Sequence, residues 1–161
     1  MVAQLIKNQT NLYDTDYNLW ILETVKKLEN RDFHSVEWEN LIEEVLDLSK
    51  KEKRKLQSLL KKLIEHLLKL TYWESELERN RNHWRREIRN FRQQIQEELI
   101  DSPSLKVYMI EIFDECYQKG RRLASDASGL PLNTFPEKPE SFCGAFGNAP
   151  LEQILDENWL P

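Results

Sequence analysis

The sequence predicts an all-α fold, in which a bundle of four to five helices precedes an irregular, proline-containing C-terminal strap and a short terminal helix. Only 4 of the 161 residues are Gly, and Leu, Glu, Lys and Arg dominate, which favours long helices over sheets. Apolar residues also recur at intervals of three and four along most of the chain, as on one face of a helix. Prolines instead concentrate in one late segment, at Pro131, Pro136, Pro139 and Pro150.

A single domain over residues 1–161 follows from the chain length, because domains commonly contain about 100–200 residues. We expect an N-terminal arm over about residues 1–13, the bundle over 14–129, and the strap with its short helix over 130–161. Apolar residues make up 40% of the chain and charged residues 32%, which is typical of a globular protein with a charged surface.

The first two helices are predicted over about Thr15–Leu28 and Ser35–Leu48, with Asp14 or Asp16 as the cap of the first. The first helix carries one apolar stripe at helical spacing, formed by Tyr17, Trp20, Ile21, Thr24, Val25 and Leu28. We expect the second helix to bury Trp38, Leu41, Ile42, Val45 and Leu46. Acidic residues line much of its remaining surface, at Glu39, Glu43, Glu44 and Asp47.

Ser49 and Glu52 match the S-x-x-E capping box and therefore predict that a third helix, the longest, starts at Ser49. Its apolar stripe consists of Leu56, Leu59, Leu60, Leu63, Ile64, Leu67 and Leu68. A fourth helix is predicted over about His83–Ile100, with the narrower stripe Trp84, Ile88, Phe91, Ile95 and Leu99. The intervening sequence leaves open whether these two helices are one bent helix.

A fifth helix follows a clear boundary, where Ser102 suits an N-cap and Pro103 the first helical position. Gly129 suits a C-terminal stop, and Gly120 marks either a close helix contact or a weak point inside the helix. The strap is expected to lie on the bundle through its phenylalanines, and Pro150 begins the short terminal helix.

Charge is segregated along the chain. Residues 1–49 carry 4 basic and 10 acidic side chains, residues 50–92 carry 14 and 6, and residues 93–161 carry 5 and 12. One interpretation is that oppositely charged helices pair inside one bundle. The other is that residues 50–92 offer a basic face to a polyanion.

The two cysteines, Cys116 and Cys143, show no metal-type spacing and are interpreted as reduced thiols of a cytoplasmic protein. Cys116 lies on an apolar stripe and is expected to pack as a small hydrophobe, whereas Cys143 is expected to be the more accessible thiol. The N-terminal residues are too polar for a signal peptide. No run approaches the roughly 18 apolar residues of a membrane span, so we expect no membrane association.

Several segments occur in an order that resembles a known family. They are Asn40-Leu41-Ile42-Glu43-Glu44-Val45, His66-Leu67-Leu68-Lys69, Trp84 with Ile88, Ser102-Pro103-Ser104-Leu105, and the C-terminal stretch from Leu155 to Pro161. Together they resemble the bacterial, largely cyanobacterial, domain-of-unknown-function family numbered twenty-nine, over about residues 11–161. The resemblance implies an all-helical bundle and no assigned activity.

Glu43 and His66 are the candidate pair for a buried polar contact, because two antiparallel helices could bring them together. The expectation is a structural hydrogen bond that sets helix register. A metal site at Glu43 and His66 is the alternative, but the chain lacks the Glu-x-x-His motif of ferritin-like di-iron sites. We therefore predict no metal and no cofactor.

The candidate interaction surface is a set of arginines in the predicted fourth helix: Arg81, Arg85, Arg86, Arg89 and Arg92. Arginines beside aromatic residues can hold nucleic acid through phosphate contacts and stacking. However, Trp84 and Phe91 fall on the apolar stripe and are expected to be core. Arg79 and His83 resemble, one residue short in spacing, the Arg and His of HEPN-type ribonucleases.

No complete catalytic set is present, so the sequence favours a non-catalytic intracellular protein-interaction module with a partner protein. The module would present either the basic surface of residues 50–92 or the acidic second helix. RNA or DNA binding by the 50–92 surface is the alternative. A metal-dependent enzyme at Glu43 and His66, or a ribonuclease at Arg79 and His83, is the third hypothesis, and homo-oligomers stay open.

Overall fold

The computed structural model describes residues 11–143 and 150–161, and in these ranges the chain forms helices and no strands. The helices are α1 (Leu12–Thr15), α2 (Tyr17–Glu29), α3 (Trp38–Tyr72), α4 (Glu74–Asp101), α5 (Leu105–Ser128), α6 (Pro139–Cys143) and α7 (Pro150–Leu155). This confirms the all-α fold class. None of the described helices is both long and apolar enough to cross a membrane. Residues 1–10 of the predicted N-terminal arm and residues 144–149 of the predicted strap lie outside the described residues.

The chain divides into two units, residues 1–50 and residues 51–161. In the first unit, the described residues form α1, α2 and the beginning of α3. The prediction of a single domain stays a prediction.

In the first unit, the tyrosines of α1 and α2 bind a carboxylate of α3. The Tyr13 hydroxyl donates a hydrogen bond to Glu44 at 2.7 Å, and the Tyr17 hydroxyl donates to the other oxygen of the same carboxylate. These hydrogen bonds raise the pKa of both hydroxyls. Helix α2 starts as expected, because the Asp16 side chain accepts from the Leu19 amide at 3.0 Å.

The two predicted helices Ser35–Leu48 and Ser49 onward are one helix, so the break at Ser49 is wrong. Helix α3 runs without interruption for 35 residues. Neither Gly nor Pro occurs near Ser49, and the flanking Leu, Lys and Glu residues are strong helix formers. Glu52 is used elsewhere, since its Oε2 accepts from the Ser102 hydroxyl at 3.2 Å.

The core of the second unit forms around the C-terminal part of α3, whose predicted stripe is buried. The fully buried members are Leu56, Leu60, Leu63, Ile64, Leu67 and Leu68. Helices α4 and α5 contribute Ile88, Ile95, Met109, Cys116 and Tyr117, and the strap contributes Phe135 and Ile154. Cys116 packs as a small hydrophobe, as predicted.

Helices α3 and α4 are separate, because the chain turns at Trp73, whose backbone leaves the helical region at φ −91° and ψ 68°. The Trp73 ring stacks on Trp84 with ring centres 5.5 Å apart. Helix α4 therefore starts about nine residues before the predicted His83, and Asn80 and Asn82 lie inside it.

Glycines act at two places in α5. Gly120 marks a close helix contact, since a Cβ built there would lie 2.6 Å from Ile64 Cγ2 and 3.2 Å from the Lys61 carbonyl oxygen. Gly129 ends the helix with φ +70°, the left-handed conformation that glycine favours. Ser102 lies before the first turn, but the helix begins at Leu105 rather than at Pro103.

The strap is held to α5 by side chains that donate to its backbone. Arg121 is buried, and its Nη2 donates to the carbonyl oxygens of Phe135 at 2.9 Å and Leu132 at 3.3 Å. The Tyr117 hydroxyl donates to the Pro136 carbonyl at 3.0 Å. Cys143 is 6% exposed against 0% for Cys116, so the predicted order of accessibility holds, but Cys143 is itself buried in α6 and burial raises the pKa of its thiol to about 11.

Candidate functional site

Four of the five predicted surface arginines are exposed on α4, namely Arg81, Arg85, Arg86 and Arg89. Arg92 differs from the expectation, because only 4% of it is exposed. Its Nε donates to the Ile154 carbonyl oxygen of α7 at 2.8 Å. Arg92 is thus a buried link between α4 and the end of the chain.

A cavity of about 570 Å³ lies between α4 and the C-terminal residues. Four cationic side chains line it, those of Arg85, Arg86, Arg89 and Arg92, together with one acidic residue, Glu157. The cavity wall therefore carries net positive charge. Like-signed charges that converge on a concave site attract ligands of the opposite charge.

The remaining lining is part amide and part apolar. Asn82 and Asn158 contribute amide groups, and Ile88 and Leu160 contribute apolar surface. The Asn158 backbone amide donates to the Asp156 carboxylate at 2.9 Å, which orders the turn that carries Asn158. Sequence reasoning missed this C-terminal wall, because nothing in the local pattern of residues 156–160 indicates which helix it meets.

Arg92 contributes a buried charge with incomplete hydrogen bonding. Its Nη2 is buried and has no hydrogen-bond partner among the described residues. Burial lowers the pKa of Arg92, and the nearby carboxylates of Asp156 and Glu157 oppose that shift. A buried guanidinium N–H without an acceptor is costly, so Arg92 would gain from an added acceptor.

Arg81 lies outside this cavity and lines a neighbouring one of about 310 Å³, to which Arg85 and Leu160 also contribute. Trp84 and Phe91 are buried, as predicted. They cannot stack on the bases of a nucleic acid. Trp73, which stacks on Trp84, is partly exposed.

Arg79 and His83, the pair considered for ribonuclease chemistry, are both exposed on α4, one turn apart. Arg86 Nη2 donates to His83 Nδ1 across 3.4 Å. That contact directs Nδ1 of His83 to a neighbouring cation rather than to a carboxylate that would orient it as a base.

Glu43 and His66 do not form the expected pair, because they lie 23 positions apart on the same helix, α3. Side chains on one helix are neighbours when they are three or four positions apart. His66 Nδ1 instead donates to the Lys62 carbonyl oxygen at 2.8 Å, and its ring packs edge-on against Phe91. Burial, then the Lys69 ammonium, lowers the pKa of His66.

Within residues 11–143 and 150–161, no three or more His, Cys, Asp or Glu side chains converge as a metal site requires. The thiols are poor nucleophiles, since burial raises the pKa of both Cys116 and Cys143 to about 11.

The first unit carries an apolar surface that we expected to be buried. Trp38, Ile42, Val45 and Leu46 are 47%, 56%, 57% and 56% exposed. Further exposed apolar side chains lie on α2, at Leu19, Ile21, Leu22 and Val25. The apolar stripe on residues 38–48 was visible in the sequence, but periodicity does not reveal whether another element covers a stripe.

Two parallel rows follow from the spacing on α3. Trp38, Ile42 and Leu46 recur every four residues and form an apolar row, and Val45 lies beside it. Glu39, Glu43 and Asp47 follow each of those residues by one position and form a row of carboxylates. We call this surface the α3 apolar–acidic face.

Comparison with known protein families gives a match over almost the whole chain. The family model described as "Domain of unknown function DUF29" matches residues 12–160, almost the whole chain. No curated protein and no solved structure matches. The match confirms the family resemblance seen in the ordered sequence segments.

Proposed function

The chain belongs to the family of the domain of unknown function DUF29, and from that premise we propose that it is a non-catalytic intracellular module that binds a partner protein. The binding surface is the α3 apolar–acidic face of residues 38–47. The partner segment is a basic amphipathic helix.

Exposure of large apolar side chains is the observation that supports this proposal. Among the described residues, most large apolar side chains that are exposed belong to the first unit. Contiguous exposed apolar surface commonly marks a protein-binding site. An amphipathic helix is a frequent ligand for such a surface, because its own apolar row is buried against it.

The negative charge of the α3 apolar–acidic face favours a basic partner helix. The carboxylates of Glu39, Glu43 and Asp47 run beside the apolar row, and residues 1–49 carry 10 acidic against 4 basic side chains. A partner helix that buries a row of Leu against this apolar row would reach the carboxylates, about 100° away around α3, with long Lys or Arg side chains at the edge of its own apolar row. A second copy of the same surface would instead place carboxylates against carboxylates.

A charge exchange tests the electrostatic half of the proposal. The probe is a synthetic amphipathic helix of about 18 residues with Leu in one row and Lys beside it, measured by calorimetry against the full chain. Glu39→Lys with Glu43→Lys should weaken binding by about fivefold to tenfold, because exposed ion pairs contribute about 0.2–1 kcal/mol each. A peptide with Glu in place of Lys should bind this double variant about as tightly as the Lys peptide binds the wild-type chain.

An apolar substitution tests the other half. Ile42→Asp should weaken the binding of the Lys peptide by at least about tenfold, since burial of an Ile side chain contributes about 1.5–3 kcal/mol. Val107→Asp is the matched control, because Val107 is also exposed, at 63%, but lies on α5.

Three results would contradict the proposal. They are no binding of the Lys peptide by the wild-type chain, equal losses for Ile42→Asp and Val107→Asp, or a homodimer that Ile42→Asp dissociates. The last result would make a second copy the occupant of this face.

A further inference from the structure

We propose that the cavity between α4 and the C-terminal residues is a binding site for a small phosphate ester of about nucleotide size. The proposal rests on residues of the second unit and is independent of the α3 apolar–acidic face.

The charge of the wall determines the sign of the ligand. Arg85, Arg86, Arg89 and Arg92 line the cavity, and Glu157 is the one acidic residue among the described residues that line it. Arg85, Arg86 and Arg89 are exposed, so their guanidinium groups are accessible to a ligand. Guanidinium groups present paired N–H donors that match the oxygens of phosphate, and several around one cavity favour a multiply charged ligand.

Arg92 provides a second, independent observation. Only 4% of it is exposed, it lines the cavity, and its Nη2 has no hydrogen-bond partner in the described part of the chain. Its Nε is already used by the Ile154 carbonyl oxygen at 2.8 Å. This buried guanidinium lacks a full set of acceptors, so its positive charge adds to the attraction of the cavity wall for an anion.

The volume of the cavity and the polarity of its lining narrow the class of ligand further. A volume of about 570 Å³ lies within the range of about 300–1,000 Å³ that small-molecule sites occupy. Inorganic phosphate would leave most of this space unused. Ile88 and Leu160 supply apolar surface, and Asn82 and Asn158 supply amides, which suits an ester whose organic part carries both apolar and hydrogen-bonding edges.

An extended nucleic acid fits less well. Such ligands require a basic track along the backbone and aromatic platforms for the bases. Here the arginines converge on one cavity, and Trp84 and Phe91 are buried.

Calorimetric titration of the full chain with ATP, inorganic phosphate and a single-stranded oligoribonucleotide tests the inference at two salt concentrations. We expect ATP to bind, and to bind at least about tenfold more tightly than inorganic phosphate. The double variant Arg85→Gln with Arg89→Gln should weaken the binding of ATP by at least about tenfold. Lys106→Gln with Arg122→Gln, which removes two exposed cations of α5, should change it less than twofold.

Circular dichroism and thermal unfolding show whether each double variant stays folded. Because the substituted residues of both pairs are exposed, we expect neither variant to lose stability. The inference is overturned by the absence of ATP binding at millimolar concentration, or by equal effects of the two double variants. It is also overturned if the oligoribonucleotide binds more tightly than ATP through the same arginines with a steep salt dependence, because nucleic acid would then be the ligand.

Discussion

Arg121→Met is expected to lower the free energy of unfolding by about 2–4 kcal/mol and to release the strap from α5. The guanidinium of Arg121 donates to the carbonyl oxygens of Leu132 and Phe135, and its Nη1 donates to the Gln118 side chain at 2.6 Å. Methionine conserves much of the apolar packing but removes every donor. The carbonyls of the strap then lose charge-assisted hydrogen bonds, and leaving the buried Phe135 carbonyl oxygen unsatisfied costs about 1–3 kcal/mol, whereas water can replace the donor at the more exposed Leu132.

Urea unfolding measures the loss of stability, and amide hydrogen exchange over residues 130–143 measures the release of the strap. Arg122→Met is the control, because Arg122 is the neighbouring residue but is exposed; it should change stability by less than about 0.5 kcal/mol. Equal effects of the two substitutions, or unchanged exchange in the strap of Arg121→Met, would contradict this role of Arg121.

The contact between Gly120 and Ile64 should appear as a strong coupling in a double-mutant cycle. Gly120→Ala would place a methyl group 2.6 Å from Ile64 Cγ2 and 2.9 Å from Ile64 Cβ. Overpacking of this kind costs about 1–3 kcal/mol, which outweighs the gain in helix propensity of up to about 1 kcal/mol. Ile64→Ala alone should cost about 2–5 kcal/mol, because Ile64 is fully buried.

The double variant should be more stable than the sum of the two losses predicts, by about 1 kcal/mol or more, since the methyl group added by Gly120→Ala enters space that Ile64 vacates. Gly129→Ala is the control in the same cycle. It is strained by its φ of +70° but has no atom within 4 Å of its Cβ, so its effect should add to that of Ile64→Ala. Additivity for Gly120, or a stabilising Gly120→Ala, would show that the two helices are not in close contact here.

Helical periodicity in the sequence was enough to predict the core of the second unit. The stripe from Leu56 to Leu68 is buried, and so are Trp84, Ile88, Phe91 and Ile95. Helix ends that depend on the backbone preference of one residue were also predicted correctly: Gly129 ends α5, and Pro150 begins α7. These features depend on local spacing and on the backbone preferences of single residues.

The errors arose where the outcome depends on distant parts of the chain. Ser49 and Glu52 match a capping box, but strong helix formers on both sides keep α3 continuous. Trp38 and Ile42 have the same spacing as buried residues but are exposed, because burial requires a covering element that periodicity does not specify.

In the candidate sites, too, the features set by local spacing could be predicted, whereas those that depend on distant parts of the chain could not. Arg85, Arg86 and Arg89 could be predicted as surface cations from their positions between the apolar residues of α4. The cavity could not be predicted, because its other wall comes from Glu157 to Leu160, far from α4 along the chain. Arg92 was misplaced for the same reason, since its partner is the Ile154 carbonyl oxygen.

A partner can bind the α3 apolar–acidic face only if the apolar row at the beginning of α3 is solvent-exposed. Methyl relaxation by a soluble paramagnetic probe, measured on Ile, Leu and Val methyl groups, tests this exposure most directly. We predict strong relaxation at Ile42, Val45 and Leu46 and protection at Leu60 and Leu63 of the same helix, whose side chains are fully buried. Equal protection of both groups would contradict the proposal, because the first row would then be covered and could not receive a partner.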